Sequence, residues 1–381
     1  MSATDSAKIS PIRICAGNPE DWLARFRAKK PLFACVLSFT QTGLLPGISA
    51  AGKTSQNRLT TAIADGEYLL SHTVSSPRTS ALIQPLPPLS AGVSPAIISR
   101  AIIRQQKIPC CLLSTGLPAR LHVPHIELPQ VMARSIDSEL AMTQAQVTQL
   151  WQSGLAWGNR LIKAYANTYL LIGECVVGGT TTAQALLSAL GYSVAGLMSS
   201  SHADGNHTQK ELIVSKALAR WRQNGDFSAL SAVAAVGDPM QVVVAGMAIA
   251  ASRKVGVLLA GGSQMLAVYA LIKAICMATG RAVSPQIVVG TTRWVVEDKS
   301  ADTIAIARQI DAPYIASEIS FAHSAYEQLR AYERGYIKEG VGAGGCAIAA
   351  SLYKEWRRSH IRNAVEAELS ESKILRRGFL R

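Results

Sequence analysis

Short hydrophobic runs recur along the chain, and most of them lead into a turn of small residues and then a helical pattern. Their length is that of strands buried on both faces of a sheet. Strand, turn and helix in alternation predict an α/β fold of three layers, a mostly parallel sheet with helices on both faces and peripheral terminal helices. The predicted strands are 32–39, 108–113, 169–172, 232–236, 255–260, 285–289 and 314–317, and the clearest helices are 22–30, 55–70, 144–166 and 301–310.

The segment 169–192 carries the strongest local signal. An apolar run leads into a glycine-rich turn and three threonines, and a helical pattern then continues to Gly191. A helix that begins after such a turn presents backbone N–H groups and the positive end of its dipole to an anion. The segment can therefore be interpreted either as an anion site or as a plain strand–helix turn with a threonine cap.

The other glycine turns strengthen the case for a ligand site. Ligands of parallel sheets bind beyond the carboxyl ends of the strands, so the turns near 173–179, 237–240, 261–264 and 290–293 are expected to meet at one rim. A later turn, 338–346, contains four glycines and is headed by Glu339. Glycines at that density lower the stability of regular structure, which favours a backbone that passes close to a ligand. The alternative for Glu339 is an exposed loop carboxylate.

A formal phosphate-loop pattern, GISAAGKT, lies at 47–54 and contains Lys53. In a true phosphate loop the first glycine directly follows a strand, so that backbone amides wrap the phosphates. Seven residues separate Gly47 from the predicted strand. We therefore interpret the match as a chance pattern and keep an ATPase that uses Lys53 as a minor alternative.

The sequence gives no strong signal for a metal site. His122 and His125 lie near Glu127, but Pro124 between the histidines argues against a helix that would hold a metal ion. We interpret them as loop histidines. A carboxylate cluster of the kind that binds magnesium is also not evident, so no metal is expected.

Composition narrows the classes of function. The chain has 381 residues, 49% of them hydrophobic and 17% charged, which is enough for a large core. The formal net charge of +13 suits nucleic acid, a membrane surface or anionic small substrates. Aromatic residues make up only 6%, and RNA-binding and zinc-finger motifs are not found, so nucleic acid ranks low.

Cysteines and apolar segments indicate a cytoplasmic protein. The seven cysteines form no CxxC pair and lie mostly in apolar runs, as expected for reduced core residues. The N-terminus has no signal-peptide core. The apolar stretches 241–252 and 255–278 are interpreted as strand–turn–helix units and not as membrane spans.

Basic segments at the two ends suggest three parts. These are a basic N-terminal arm with a helix (1–30), one α/β domain (31–356) and a basic C-terminal helix or tail (357–381).

Four segments in this order carry a resemblance to a known family: GECVVGGTTTAQALLSALG, VGDPMQVVVAGMAIAASRKVGVLLAGG, VVGTTRWVVED and KEGVGAGGCAIA. The chain resembles the nicotinate-nucleotide:dimethylbenzimidazole phosphoribosyltransferases of cobalamin lower-ligand assembly. It is more similar to their uncharacterised archaeal and cyanobacterial relatives, which share about 31–356, whereas the bacterial transferases share mainly the part after Tyr169.

The resemblance implies a cofactor-free homodimeric enzyme that acts on nicotinate mononucleotide and a purine or benzimidazole base. A ring nitrogen of the base attacks the ribose C1′, nicotinate leaves, and an α-ribotide forms by inversion. Glu339 occupies the place of the general base that removes the proton from the base. Glu174 matches a glutamate that contacts ribose or base, and Ser49 is assigned to the base pocket. The implied phosphate anchors are Gly178, Gly179, Thr180, Thr181, Lys210, Thr291, Thr292 and Arg293.

Departures from the family pattern leave the substrate open. The family's GG-aromatic-Glu turn is replaced by the sequence at 237–240, and its NTT by the sequence at 179–181. The N-terminal half, which would form the base pocket, resembles the bacterial enzymes poorly, so adenine or another purine is as suitable as dimethylbenzimidazole. The alternative function is a nucleotide-binding protein without catalysis.

Overall fold

A computed structural model describes residues 10–73, 83–137, 140–165, 168–199, 206–223 and 225–378. Eight strands in this part of the chain form a single sheet. They are β1 (Ile12–Ala16), β2 (Leu32–Ser38), β3 (Cys110–Thr115), β4 (Ile126–Glu127), β5 (Tyr169–Cys175), β6 (Gly256–Ala260), β7 (Ile287–Thr292) and β8 (Tyr314–Ser317).

Fourteen α-helices connect or flank these strands in the described residues. They are α1 (Glu20–Phe26), α2 (Ser55–Leu70), α3 (Ala96–Gln106), α4 (Gln144–Ala164), α5 (Gly179–Ala189), α6 (His207–Arg222), α7 (Ala229–Val236), α8 (Pro239–Ala251), α9 (Ser263–Ala278), α10 (Arg293–Val296), α11 (Thr303–Gln309), α12 (Glu327–Glu333), α13 (Ala343–Lys354) and α14 (Arg358–Gly378). None of these helices combines the length and apolar character needed to cross a bilayer.

The sheet has the strand order β1-β8-β7-β6-β5-β2-β3-β4, and every pair except β1–β8 is parallel. Side chains of β2 alternate between two hydrophobic clusters: Ala34 and Val36 contribute to one, Cys35 and Leu37 to the other. Helices α4–α9 and α11 cover the first face, and α1–α3 and α12–α14 cover the second. The predicted three-layer α/β fold is confirmed.

Helix starts follow from local polar residues. Thr54 accepts a hydrogen bond from Asn57 N and completes a capping box at α2, which begins at Ser55 as predicted. Asp238 caps α8 in the same way, with Pro239 in the first turn, where its missing N–H has no consequence. The turn at 237–240 is therefore a helix start buried inside the protein.

Two predictions about local structure are wrong. Residues 232–236 form most of α7 and not a strand, because the side chain of Ser228 caps a helix there and an Ala/Val run suits either element. Two of the four late glycines, Gly344 and Gly345, lie inside the first turn of α13 and not in the preceding turn. A Cβ on Gly344 would lie 2.2 Å from the Thr291 carbonyl carbon, so close packing of helix on strand requires glycine there.

The N-terminal residues also differ from a peripheral arm. β1 extends the sheet by pairing antiparallel with β8. In α1, Trp22 and Phe26 are buried and stack near Tyr169, with ring centroids 5.3 and 5.4 Å from the tyrosine ring. Residues 12–26 therefore belong to the layered fold. The division of the chain into the parts 1–30, 31–356 and 357–381 stays a prediction.

Candidate active site

A cleft opens beyond the carboxyl ends of the central strands, where the turns after β5 and β6 meet the turn before α13. It encloses about 1010 Å³ between protein atoms, part of it open to solvent. The N-terminal half contributes α2, the 49–51 segment and the start of α3 to the opposite wall. A cleft at the carboxyl ends of parallel strands is where small-molecule ligands of such sheets bind.

Glu174 near the end of β5, Gly178 in the turn after it and Thr180 at the start of α5 line the cleft. Gly178 adopts a φ of 85°, and a Cβ there would lie 2.6 Å from the Gly43 backbone, so this position requires glycine. Gly179 begins α5, whose first-turn N–H groups lack partners within the helix. Thr181 does not line the cleft, because its side chain is fully buried.

A second helix N-terminus faces the same cleft. Gly262, Ser263 and Gln264 begin α9 and line the cleft next to the start of α5. Gln264 packs on Gly179, where an added Cβ would lie 1.8 Å from the glutamine oxygen. Its Nε2 donates to Glu174 Oε1 at 3.0 Å. The sequence pattern indicated this turn but gave no signal for a role of Gln264.

The buried carboxyl group of Glu174 has few hydrogen-bond partners. Its Oε2 is buried without a hydrogen-bond partner in the described residues. Burial, reinforced by the nearby Asp238 and Glu339 carboxyl groups, raises the pKa of Glu174 to about 8. At neutral pH this residue therefore holds a proton inside the cleft.

The carboxyl group of Glu339 lies in a cage of hydrogen-bond donors. Oε2 accepts from Thr291 Oγ1 and from the Thr292 backbone N, each at 3.0 Å. Oε1 accepts from the backbone N of Gly340 and Gly344, each at 3.1 Å. Burial raises the pKa of Glu339, and these four bonds oppose that rise. The cage fixes the orientation of the carboxylate at the start of α13.

The Glu339 turn contains unusual backbone conformations. Ile337 and Val341, both β-branched, have φ values of 55° and 52°, in a region that such residues rarely adopt. Val341 N also donates to the Glu174 carbonyl at 3.0 Å, which joins the two glutamate turns. Strained residues of this kind persist where the surrounding structure holds them, and they concentrate at functional sites.

Two lysines lie behind Glu339. Lys338 lines the cleft and forms a buried ion pair with Asp298, with Nζ 2.7 Å from Oδ2. Lys210 of α6 is 1% exposed and lies near this pair without lining the cleft. Burial and repulsion from Lys338 lower the pKa of Lys210 to about 7, although Asp298 opposes this shift. Asp204 and Gly205, which define the acidic turn used to align Lys210, lie outside the described residues.

The second phosphate turn expected from the resemblance is arranged differently. Thr291 and Thr292 are fully buried, and their side chains bond to Glu339 Oε2 and the Lys338 carbonyl. Arg293 forms ion pairs with Glu297 and Glu333 and does not line the cleft. Thr291 and Thr292 therefore hold the Lys338–Glu339 turn, and none of the three residues lines the cleft.

Ser49 lines the cleft, as expected for a residue of the base pocket, and its Oγ accepts from Ala51 N at 3.1 Å. The rest of the 47–54 segment does not have the structure of a phosphate loop. A 3-10 turn at Gln41–Leu44 follows β2, Thr54 caps α2, and Lys53 is exposed and does not line the cleft. No metal-binding group of histidine, cysteine or carboxylate residues occurs in the described part of the chain.

Comparisons with known proteins agree with this architecture. The profile of the family described as DBI_PRT, phosphoribosyltransferase, matches residues 103–283. A UPF0284 protein of Cyanothece sp. is 53% identical over 91% of this chain and 93% of its own length. UPF0284 proteins of Gloeothece citriformis and Synechocystis sp. are 50% and 48% identical, each over 92% of this chain and over 94% and 95% of their own lengths.

Solved structures show the same fold. CobT from Thermus thermophilus has a TM-score of 0.56 at 16% identity, over 85% of this chain and 84% of its own. A nicotinate-nucleotide-dimethylbenzimidazole phosphoribosyltransferase structure from the same organism has a TM-score of 0.57 at 16% identity, over 90% of this chain and 83% of its own. The resemblance expected from the sequence is confirmed: the phosphoribosyltransferase profile matches part of the chain, and the two solved structures share its fold.

Proposed function

Since the chain belongs to the UPF0284 family, whose members match it over nearly its whole length, we propose that it transfers the phosphoribosyl group of nicotinate mononucleotide to a nitrogenous base. The product is an α-ribotide for the lower ligand of a cobamide. The likeness to phosphoribosyltransferases supports the type of reaction. The two substrates are part of the proposal.

One observation carries the proposal: two helix N-termini and two glutamate side chains face the same cleft. The starts of α5 and α9 suit the phosphate, because first-turn N–H groups and the helix dipole stabilise an anion. Thr180 and Ser263 add hydroxyl groups there, and Lys338 adds a positive charge. Gln264 and Glu174 are then close enough to the phosphate end to contact the ribose.

The chemistry needs little beyond positioning and one proton acceptor. A lone pair on a ring nitrogen of the base forms a bond to C1′ as the C1′–N bond to nicotinate breaks. The electrons of that bond return to the pyridinium ring, so nicotinate leaves without an acid. The proton on the attacking base passes to Glu339, which is expected to accept it as general base.

The four hydrogen bonds to Glu339 must change before this residue can act as general base. All four acceptor positions of a carboxylate are filled by Thr291, Thr292, Gly340 and Gly344. One of these donors must give way when the N–H group of the base arrives. The Gly340 N–H, which belongs to the strained turn itself, is the donor that we expect to move.

The alternative function is a nucleotide-binding protein without turnover, since the same cleft would bind the mononucleotide in both cases. An ATPase that uses Lys53 is disfavoured by the exposed position of that side chain outside the cleft. The homodimer and the cytoplasmic location expected from the sequence remain part of the proposal.

Incubation with nicotinate mononucleotide and a panel of bases tests the reaction. The panel is the nitrogenous bases dimethylbenzimidazole and adenine, together with cresol, a phenol that has no ring nitrogen, and mass spectrometry detects released nicotinate and the new ribotide. Release with at least one base is the expected result. Binding of the nucleotide without release from any base would favour the non-catalytic alternative.

A further inference from the structure

Asp65 of α2 lines the cleft on the wall contributed by the N-terminal half, and it has few partners in the protein. The residue is 3% exposed. Its Oδ1 accepts from Ser94 Oγ at 2.5 Å, and its Oδ2 accepts a weak bond from Cys175 Sγ at 3.4 Å. No lysine, arginine or histidine in the described part of the chain forms an ion pair with it.

Glu67, two residues further along α2, shows how the protein satisfies a buried carboxylate. Its oxygens accept from the backbone N of Gln84 at 2.6 Å and from the backbone N and Nδ1 of His122 at 2.7 and 2.9 Å. A carboxylate can accept about four hydrogen bonds. Asp65 receives one strong bond and one weak bond, so it keeps acceptor capacity at the cleft.

The small number of hydrogen bonds to Asp65 affects its pKa. Burial raises the pKa of Asp65 to about 6, and the bonds from Ser94 and Cys175 oppose that rise. At neutral pH the side chain is still mainly ionised. A buried carboxylate without an ion-pair partner is unfavourable unless hydrogen bonds compensate it, and an N–H group of a ligand in the cleft would supply such a bond.

The position of Asp65 relates it to the base and not to the phosphate. Cys175 directly follows Glu174, and Ser94 precedes Pro95, which packs against Gly340 beside Glu339. Asp65 is therefore bonded to the neighbour of Glu174 and, through Ser94, to the segment that packs on Gly340. Apolar side chains also line this cleft and suit a flat ring; they are Leu89, Pro95, Ile337 and Val341.

We propose that Asp65, held by Ser94 and Cys175, is a specificity-determining residue of the base subsite. Its carboxylate selects a nitrogenous base that donates an N–H group at a position other than the nitrogen that faces Glu339, as an amino-substituted purine does. This inference rests on the proposed function, because it assigns the two ends of one substrate to Glu339 and Asp65.

The test compares adenine with unsubstituted purine, which differ only in the exocyclic amino group. In Asp65→Asn the amide oxygen still accepts from Ser94, but an NH2 group replaces the free acceptor. We expect the ratio of kcat/KM for adenine to that for purine to fall roughly 10- to 100-fold, the effect of losing a charge-assisted hydrogen bond. The KM for nicotinate mononucleotide should stay within about two-fold.

Two further variants separate recognition from folding. Ser94→Ala removes the bond that orients Asp65 and should shift the ratio in the same direction by a smaller factor. Asp302→Asn makes the same chemical change at the cap of α11, outside the cleft, and should leave the ratio unchanged. An unchanged ratio in Asp65→Asn, or an equal loss for both bases with a lower melting temperature, would overturn the inference.

Failure of the proposed function would be recognised separately. If the wild-type protein releases no nicotinate with any base, calorimetric binding of adenine and purine replaces turnover as the readout. A preference for adenine that Asp65→Asn abolishes would support the role of Asp65 in a binding protein. Equal affinity for the two bases, or no binding of either, would overturn it.

Discussion

Glu174, near the end of β5, and Glu339, in the turn before α13, lie on segments joined by a backbone hydrogen bond, yet their carboxyl groups have different surroundings. Four donors surround Glu339. Glu174 accepts from Gln264 and leaves Oε2 without a partner in the described residues. Burial raises the pKa of both groups; four hydrogen bonds oppose that rise at Glu339, and only those from Val176 N and Gln264 oppose it at Glu174.

The difference suggests a division of tasks within one cleft. Pairs of titratable groups whose environments differ in this way commonly serve as acid and base at one pH. A caged, oriented carboxylate suits acceptance of a proton at a fixed point. A protonated carboxyl suits a hydrogen bond to a ribose oxygen, a contact that does not require charge.

The largest effect is expected from Glu339→Gln. Loss of a general base lowers kcat by roughly 100- to 10,000-fold, while binding of nicotinate mononucleotide is retained. Steady-state turnover together with calorimetric binding measures both quantities. Glu297→Gln, the same change at a surface ion pair outside the cleft, is the control. Turnover at the wild-type rate in Glu339→Gln would contradict the assignment of Glu339, and not Glu174, as the general base.

A smaller effect is expected from Lys338→Met, which tests whether the Glu339 turn also holds the phosphate. Loss of a charge-assisted bond to the phosphate should raise the KM for nicotinate mononucleotide by roughly 10- to 100-fold and change kcat less. The variant also leaves Asp298 without its ion pair, so melting curves must accompany the kinetics. A KM that stays at the wild-type value would show that Lys338 does not bind the phosphate.

A stability measurement sharpens the contrast between the two carboxyl groups. Between its ordinary pKa of 4.5 and its folded value of about 8, Glu174 keeps a proton in the folded state that the unfolded chain releases. The free energy of unfolding therefore falls as pH rises through this window. Glu174→Gln should remove that dependence and raise the melting temperature at pH 8 by roughly 2–5 °C.

The opposite sign is expected for Glu339→Gln in the same experiment. An NH2 group facing the donor cage leaves buried N–H groups unsatisfied, which destabilises a protein by about 1–3 kcal/mol. Thermal unfolding at pH 6 and pH 8 measures both variants. Equal shifts for the two substitutions would show that the donor cage does not distinguish the glutamates.

The smallest effect is expected from Lys53→Met. This lysine is exposed, and the threonine that follows it caps α2. Turnover should stay within about two-fold of wild type, as for most surface substitutions. A large loss of activity, or ATP hydrolysis that depends on Lys53, would favour the phosphate-loop interpretation of the 47–54 segment.

The sequence predicted the elements whose pattern is local. The apolar runs that became β2, β5, β6 and β8 and the capped helix α2 lie within a few residues of their predicted bounds. β1 was missed because IRICA is short, lies in a polar segment and gains its partner β8 from the far end of the chain. Residues 232–236 were misassigned because an apolar run of this length does not distinguish strand from helix.

From the sequence, site residues could be predicted only where they lie in or beside a recognisable glycine-rich turn. Glu174, Gly178 and Thr180 lie in a recognisable turn, and Glu339 heads a run of glycines. The buried side chain of Thr181 and the ion pairs of Arg293 depend on tertiary packing that no spacing reveals. Asp65 lies inside a regular helical pattern, so only the structure shows that its carboxylate reaches the cleft.

A crystal structure with nicotinate mononucleotide and an accepted base tests the central claim most directly. The account predicts that the phosphate binds at the starts of α5 and α9, near Thr180 and Ser263, and that a ring nitrogen of the base lies within hydrogen-bond distance of Glu339. A nucleotide bound at the 47–54 segment, or a base outside the reach of Glu339, would contradict it.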